Sequence, residues 1–124
     1  IQTFIEKAMK KETIYANNPE NNFLDFTYVE DIAEGIKCVT LGETPKNEAF
    51  NISYGKASSI MEMINILKEH FPKLKFVSQN KDTFYPKRGS LDITKIKKYT
   101  NYNPQTNLRD GIKKYINFIN KNLK

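Results

Sequence analysis

Between Asp25 and Ile36 the chain reads Asp-Phe-Thr-Tyr-Val-Glu-Asp-Ile-Ala-Glu-Gly-Ile, and its apolar repeat changes from two to about 3.6 within a few residues. A segment patterned this way reads as a short strand that turns directly into a helix. Phe26 and Tyr28 alternate with Asp25 and Thr27 as a half-buried strand does, after which Ile32, Ala33, Ile36 and Val39 recur at helical spacing. Glu30 and Asp31 fall in the first helical turn, where negative charge is favoured, and they do not share a helix face. They are therefore helix-start residues rather than the paired carboxylates of a hydrolase. A strand whose carboxyl end opens into a helix is where open α/β sheets bind ligands, so the pattern predicts an α/β fold.

The rest of the chain supplies compatible elements. Ile1, Phe4, Ile5, Ala8 and Met9 form the apolar face of a first helix running to about Lys11, and Thr13-Ile14-Tyr15 reads as a short strand. Asn17 to Asn22 is a polar loop around Pro19. The second helix, entered through Tyr28-Val29, is predicted to stop near Gly42, with Pro45 beyond. Ala49 to Ser53 is the next strand. Ser59 and Glu62 form a capping-box pattern ahead of Met63, Ile64, Leu67 and Phe71 on one helical face. Lys75 to Ser78 alternates as a further strand, and Gln79 to Leu91 reads as irregular. Asp92 is placed to cap a helix through Tyr99, and Asn107 one through about Asn120. No repeat and no long linker divides the chain, so residues 1–124 are read as a single domain.

Composition narrows the function by exclusion. Twenty basic residues against fourteen acidic ones leave a net charge of +6, which suits anionic ligands in general. Much of the excess lies in lysine pairs such as Lys10-Lys11, Lys97-Lys98 and Lys113-Lys114, typical of solvated helix faces. The single cysteine, Cys38, excludes an internal disulfide framework and reads as core, which points to a reducing cytoplasm. The single histidine, His70, rules out a histidine metal cluster and gives a catalytic triad no support. At the end of a helix before Phe71-Pro72 it complements the last carbonyls.

Four blocks in order carry a family resemblance. Asp25-Phe26-Thr27-Tyr28-Val29-Glu30-Asp31-Ile32-Ala33 resembles the Arg-Asp-Phe/Tyr-x-Tyr/His-Val-x-Asp-Val/Ile-Ala block of the extended short-chain dehydrogenase/reductases, the NAD-dependent nucleotide-sugar epimerases and dehydratases. Ala49-Phe50-Asn51-Ile52-Ser53-Tyr54-Gly55 resembles that family's Tyr/Phe-Asn-Ile/Val-Gly-x-Gly strand. Pro86-Lys87-Arg88-Gly89-Ser90 through Lys95-Ile96 resembles Arg-x-Gly-Asp/Ser-x-x-x-Asp-x-Ser-Lys-Ala. Tyr102-Asn103-Pro104 with Leu108-Arg109-Asp110-Gly111-Ile112 is similar to the family's Gly-Tyr/Phe-x-Pro and Leu-x-Glu-Gly-Leu elements. The family's Gly-x-x-Gly-x-x-Gly phosphate loop and its Tyr-x-x-x-Lys catalytic pair are absent. The chain also opens on Ile1 with helical periodicity already running, so the resemblance implies the carboxyl-terminal substrate-binding lobe of an extended Rossmann-type enzyme. That lobe would have short strands and about five helices, with the dinucleotide-binding half missing.

On this resemblance the full-length protein is an NAD(P)-dependent epimerase or dehydratase, with epimerase slightly favoured, and the 124 residues alone are catalytically silent. No catalytic, metal-binding or NAD-binding residue is then expected here. The full-length enzyme would be a cytoplasmic homodimer acting on a nucleotide sugar, without membrane or nucleic-acid partners. Arg88 aligns with the family's pyrophosphate-binding arginine, and a guanidinium binds such a group bidentately at any working pH. Thr13 and Tyr15 lie on the strand that reads the base in related epimerases, where Tyr15 is at least as readable as a core or sheet residue; Phe26 reads first as a packing residue, at a position that lines the substrate pocket in some relatives. Leu24 departs from the pattern: it occupies the position of a second phosphate-binding arginine and cannot donate to phosphate. A stand-alone basic binding module is the competing reading of the charge.

Overall fold

In the computed structural model, which describes residues 1–80 and 87–122, the apolar face foreseen for the first helix packs as α1 (Gln2–Met9), burying Ile5 and Ala8. The chain then runs β1 (Thr13–Asn17), β2 (Phe23–Asp25), α2 (Val29–Leu41), β3 (Ala57–Ser59), α3 (Ile60–His70), β4 (Lys75–Gln79), α4 (Thr94–Tyr99) and α5 (Leu108–Asn122). Strands β1 and β4 pair in parallel, with Tyr15 opposite Val77, while β2 and β3 pair antiparallel, with Leu24 opposite Ser58.

Local chemistry starts α3 and α5 as the sequence leads one to expect. Ser59 accepts the Glu62 N–H at 3.0 Å at the start of α3. Asn107 accepts the Asp110 N–H at 2.9 Å and returns a bond from its own amide to the Asp110 carboxylate, a reciprocal cap on α5. At α4 the N-cap is Ile93 rather than the expected Asp92; Asp92 lies one residue earlier and accepts the Thr94 N–H at 2.8 Å, and its bonding to Thr94 draws the carboxyl below its usual pKa.

The apolar faces then meet in two clusters. The larger joins Ile5 of α1, Ala16 of β1, Met63, Ile64 and Leu67 of α3, and Ile112, Ile116 and Ile119 of α5. The smaller gathers Ile93, Ile96 and Tyr102, with Cys38, Val39, Phe50 and Ile52 packed against them. At roughly 1.5–3 kcal/mol per fully buried large aliphatic side chain, these contacts are the main favourable contribution to folding.

Three expectations need correction. The strand foreseen at Phe26 to Tyr28 lies earlier, at Phe23–Asp25, and Tyr28 is already the N-cap of α2. The antiparallel partner β3 reaches only Asp25; beyond it, side chains replace the ladder, as where Tyr54 N–H donates to Thr27 Oγ1 at 3.0 Å. The segment Ala49 to Ser53 joins no ladder, because no described strand lies beside it; Tyr102 Oη donates to the Ser53 carbonyl at 2.9 Å and Asn51 Nδ2 to the Asp92 carbonyl at 2.9 Å. The inward face of α2 is Asp31 and Gly35, flanked by half-buried Cys38 and Val39, whereas Ala33 and Ile36 face outward. Gly35 sets that orientation: a Cβ there would overlap Ile52 Cγ2 and press on the Tyr102 ring.

Two glycines shape the backbone for different reasons. Gly42 ends α2 without a left-handed turn (φ −82°), and an added Cβ would fall 2.5 Å from the Cys38 carbonyl oxygen. Gly55 does use the left-handed region, at φ +78°.

Asp31 contributes more than charge at a helix start. Its two carboxylate oxygens accept the backbone N–H groups of Gln105 (3.0 Å) and Thr106 (2.9 Å), while the residue is only 7% exposed. We expect Asp31→Ala, which leaves both amides without their acceptor, to lower the unfolding free energy by about 2–3 kcal/mol in urea titration. Gly35→Ala should cost about 1–3 kcal/mol in the same assay by overpacking.

Candidate functional site

The carboxylate of Asp25, at the end of β2, gathers distant backbone. Its Oδ2 accepts the Ser53 hydroxyl at 2.9 Å, the Gly55 N–H at 3.1 Å and the Leu91 N–H at 3.0 Å. The last bond ties the segment carrying Arg88 to the strand–helix junction, since Arg88 lies three residues before Leu91. Arg88 itself is exposed. Pro86 of the same block, like Tyr85, lies outside the described residues. Of the other residues framing Arg88, Asp92 serves α4, and Lys95 pairs with Glu48 at 2.7 Å beside the Phe50 ring.

Tyr15 and Thr13 are set by the alternation of β1. Ile14 and Ala16 point into the core, which leaves Tyr15 outward and 54% exposed, next to its half-exposed parallel neighbour Val77. Tyr15 is therefore a sheet residue with a free ring face rather than a core residue. Thr13 opens the same strand opposite Lys75.

Phe26 packs against the larger cluster and borders two clefts. One, of about 270 Å³, also has Tyr28, Val29, Leu108, Ile112 and Tyr115 in its wall and no charged side chain. The other, of about 260 Å³, is mixed, with Tyr54, Lys56, Ser58, Glu62 and Arg109. Lys56 is a cation that sequence reasoning passed over; its position two residues before Ser58 on the approach to β3 gave no motif to find it by. Leu24, where an arginine was expected, packs its side chain onto the larger cluster.

No hydrogen bond or ion pair among the described residues joins Arg88 to Thr13, Tyr15 or Phe26. The pairing of β1 with β4 is continued by the Asn18 N–H to Gln79 carbonyl bond at 2.9 Å, and the start of α3 is tied to the loop after β1 by bonds from Ile60 and Met61 N–H to the Asn22 and Pro19 carbonyls.

Remaining titratable groups act structurally. Arg109 forms a two-pronged pair with Glu69, which lowers the Glu69 pKa and raises that of Arg109 through their hydrogen bonds. At such exposure the pair adds little stability. Lys114 donates to Glu30 at 3.0 Å and lies 4.7 Å from the centre of the Tyr28 ring. Desolvation first, and Glu34 second, push the Cys38 thiol upward, against a reactive thiolate. Among the described residues no group of histidine, cysteine and carboxylate side chains could hold a metal ion, and no helix is long and apolar enough to cross a membrane.

Tyr102 has the most altered environment. Burial, followed by the negative charges of Asp31 and Asp25, pushes its phenol up from 10.0 to about 12. Because folding favours the neutral phenol, its contribution is fully present below pH 10.0 and is lost as the pH rises through about 12. Spectrophotometric titration should show one of the seven tyrosines ionising last, with that step absent in Tyr102→Phe.

No protein-family model matches the chain. It is 30% identical over 129 aligned residues to a Methanocaldococcus jannaschii protein provisionally assigned as a UDP-glucose 4-epimerase, covering 98% of this chain and 39% of that one. It is 26% identical to UDP-glucuronic acid decarboxylase 6 of Arabidopsis thaliana, covering 90% of this chain and 32% of that one. Among solved structures, the epimerase Mth375 of Methanothermobacter thermautotrophicus superposes with a TM-score of 0.87 at 24% identity, covering 98% of this chain and 37% of that one. WbmF of Bordetella bronchiseptica, solved with NADH, gives 0.80 at 26% identity, covering 98% and 36%. The chain thus spans about a third to two fifths of the length of the curated relatives it matches. The α/β arrangement described above is the fold of that portion.

Proposed function

We propose that these 124 residues, homologous to the carboxyl-terminal part of the extended short-chain dehydrogenase/reductases, hold the nucleotide diphosphate of a nucleotide sugar for an NAD(P)-dependent epimerase or dehydratase. The observation that carries this reading is the Leu91 N–H to Asp25 Oδ2 bond. It fastens the Arg88 segment to the junction after β2, in a fold whose relatives include UDP-sugar enzymes.

Arg88 is exposed, and the chain that carries it is anchored three residues later by the Leu91 bond. A guanidinium supplies two parallel donors to adjacent phosphate oxygens. Tyr15 offers a ring face for a base, and the amides of Thr13 and its strand offer edges that can be read by hydrogen bonds. Phe26 lines two clefts and offers an apolar wall to a ligand there. Leu24 removes one donor from the phosphate clamp, so a single arginine carries more of the binding than a two-arginine site would require.

The chain's own part in the reaction is binding and orientation. NAD or NADP would store the hydride during transient oxidation of a sugar carbon and would be held mainly by residues beyond these 124. On this reading the 124 residues alone turn over no nucleotide sugar, and the full-length enzyme is a cytoplasmic dimer with epimerase the favoured activity.

Isothermal titration with UDP tests the proposal. Arg88→Ala should weaken UDP binding by about tenfold or more, the loss of a charge-assisted hydrogen-bond pair. Unchanged affinity would sink the assignment of Arg88. Steeply salt-dependent binding to random oligonucleotides, with no response to UDP, would favour the basic module instead.

A further inference from the structure

One oxygen of Asp25 joins two stretches of irregular chain. Oδ2 accepts the Gly55 N–H at 3.1 Å and the Leu91 N–H at 3.0 Å, so the backbone at residue 55 is pinned beside the backbone at residue 91. Lys56 follows the first anchor directly. Arg88 precedes the second by three residues, a span of at most about 11 Å. Two exposed cations thus issue from segments that a single carboxylate holds together.

The β2–β3 ribbon gives Lys56 its direction. Leu24 lies opposite Ser58 in the antiparallel ladder; opposite residues share a face, as do alternate residues along each strand. Lys56 and Ser58 therefore fall on the face that carries Leu24 and Phe26, and Phe26, Lys56 and Ser58 together wall the cleft of about 260 Å³. In register Lys56 is the diagonal neighbour of Leu24. Such neighbours are about 7–8 Å apart, within reach of a long side chain. Leu24 is the residue that stands where an arginine was expected, so a cation on the partner strand faces the place where that charge is lacking.

The cleft's other charges are already matched to one another. Arg109 is gripped by both oxygens of Glu69 and also feels the charge of Glu62, the carboxylate in the cleft wall. No ion pair among the described residues uses the Lys56 ammonium.

We infer that Lys56 is the second cation of the diphosphate site, supplying from the approach to β3 the charge that Leu24 withholds. This rests on the proposed nucleotide-diphosphate reading. Arg88 meets one phosphate with its planar fork, and the Lys56 ammonium, a compact charge with three donors, meets the other.

Calorimetric titration of UDP into the full-length polypeptide tests the assignment. Lys56→Ala should weaken binding by about tenfold or more, and Lys56→Arg, which restores the charge, should return it to within about threefold. Lys97→Ala, which removes a solvated lysine of α4, should stay within about twofold. The Tm of Lys56→Ala should move by less than about 3 °C, as expected of an exposed side chain. Equal weakening by Lys56→Ala and Lys97→Ala would reduce the effect to overall charge and overturn the role of Lys56. Full affinity in Lys56→Ala beside a loss in Arg88→Ala would remove Lys56 and leave the nucleotide reading intact. A parent polypeptide that binds no UDP would overturn both.

Discussion

Two carboxylates six residues apart on either side of one strand–helix junction hold the irregular half of this molecule in place. Asp25 draws in the Ser53–Gly55 turn and the Leu91 segment, and Asp31 draws in Gln105 and Thr106. Coil that carries buried amides is costly unless each amide finds an acceptor. An ionised carboxylate accepts several at once, and its bonds are stronger than neutral ones. Three stretches with no ladder of their own thus acquire fixed positions from two side chains, and the smaller apolar cluster around Tyr102 forms in the space they enclose.

The same pair of residues shows what was legible in the sequence. Structure decided within a turn or two could be read directly: the caps of Ser59 and Asn107, the buried face of Met63, Ile64 and Leu67, and the strand character of Thr13 to Tyr15 and Lys75 to Ser78. Features that depend on a distant partner were not. Strand β3, Ala-Ser-Ser, has no strand pattern and exists because β2 lies beside it. Ala49 to Ser53 has the pattern and lacks the neighbour. The inward face of α2 is chosen by Ile52 and Tyr102 pressing on Gly35, residues 17 and 67 positions away, so periodicity alone pointed Ile36 the wrong way.

For the proposed site, Arg88, Thr13, Tyr15 and Phe26 are assigned from motif position through the resemblance, and the structure adds that Arg88 and Tyr15 are accessible. The Leu24 departure was also readable, and in the structure its side chain packs onto the larger cluster. The tether from Leu91 to Asp25 could not be inferred, because it joins a backbone amide to a carboxylate 66 residues away in sequence.

The parallel pair β1–β4 bears on how the chain reaches this state. Thr13 and Lys75 lie on opposite sides of β2, α2, β3 and α3, so their pairing closes a loop that contains most of the other secondary structure. Loop-closure entropy must be spent before any of those ladder bonds can form. Helices such as α3 and α5, whose caps and faces are local, can form early, whereas the two-stranded ribbon must wait until the intervening segments have compacted. The edge of the Tyr15 strand that β4 covers thus depends on compaction of everything between them, and while uncovered it is open to pairing with another chain in solution.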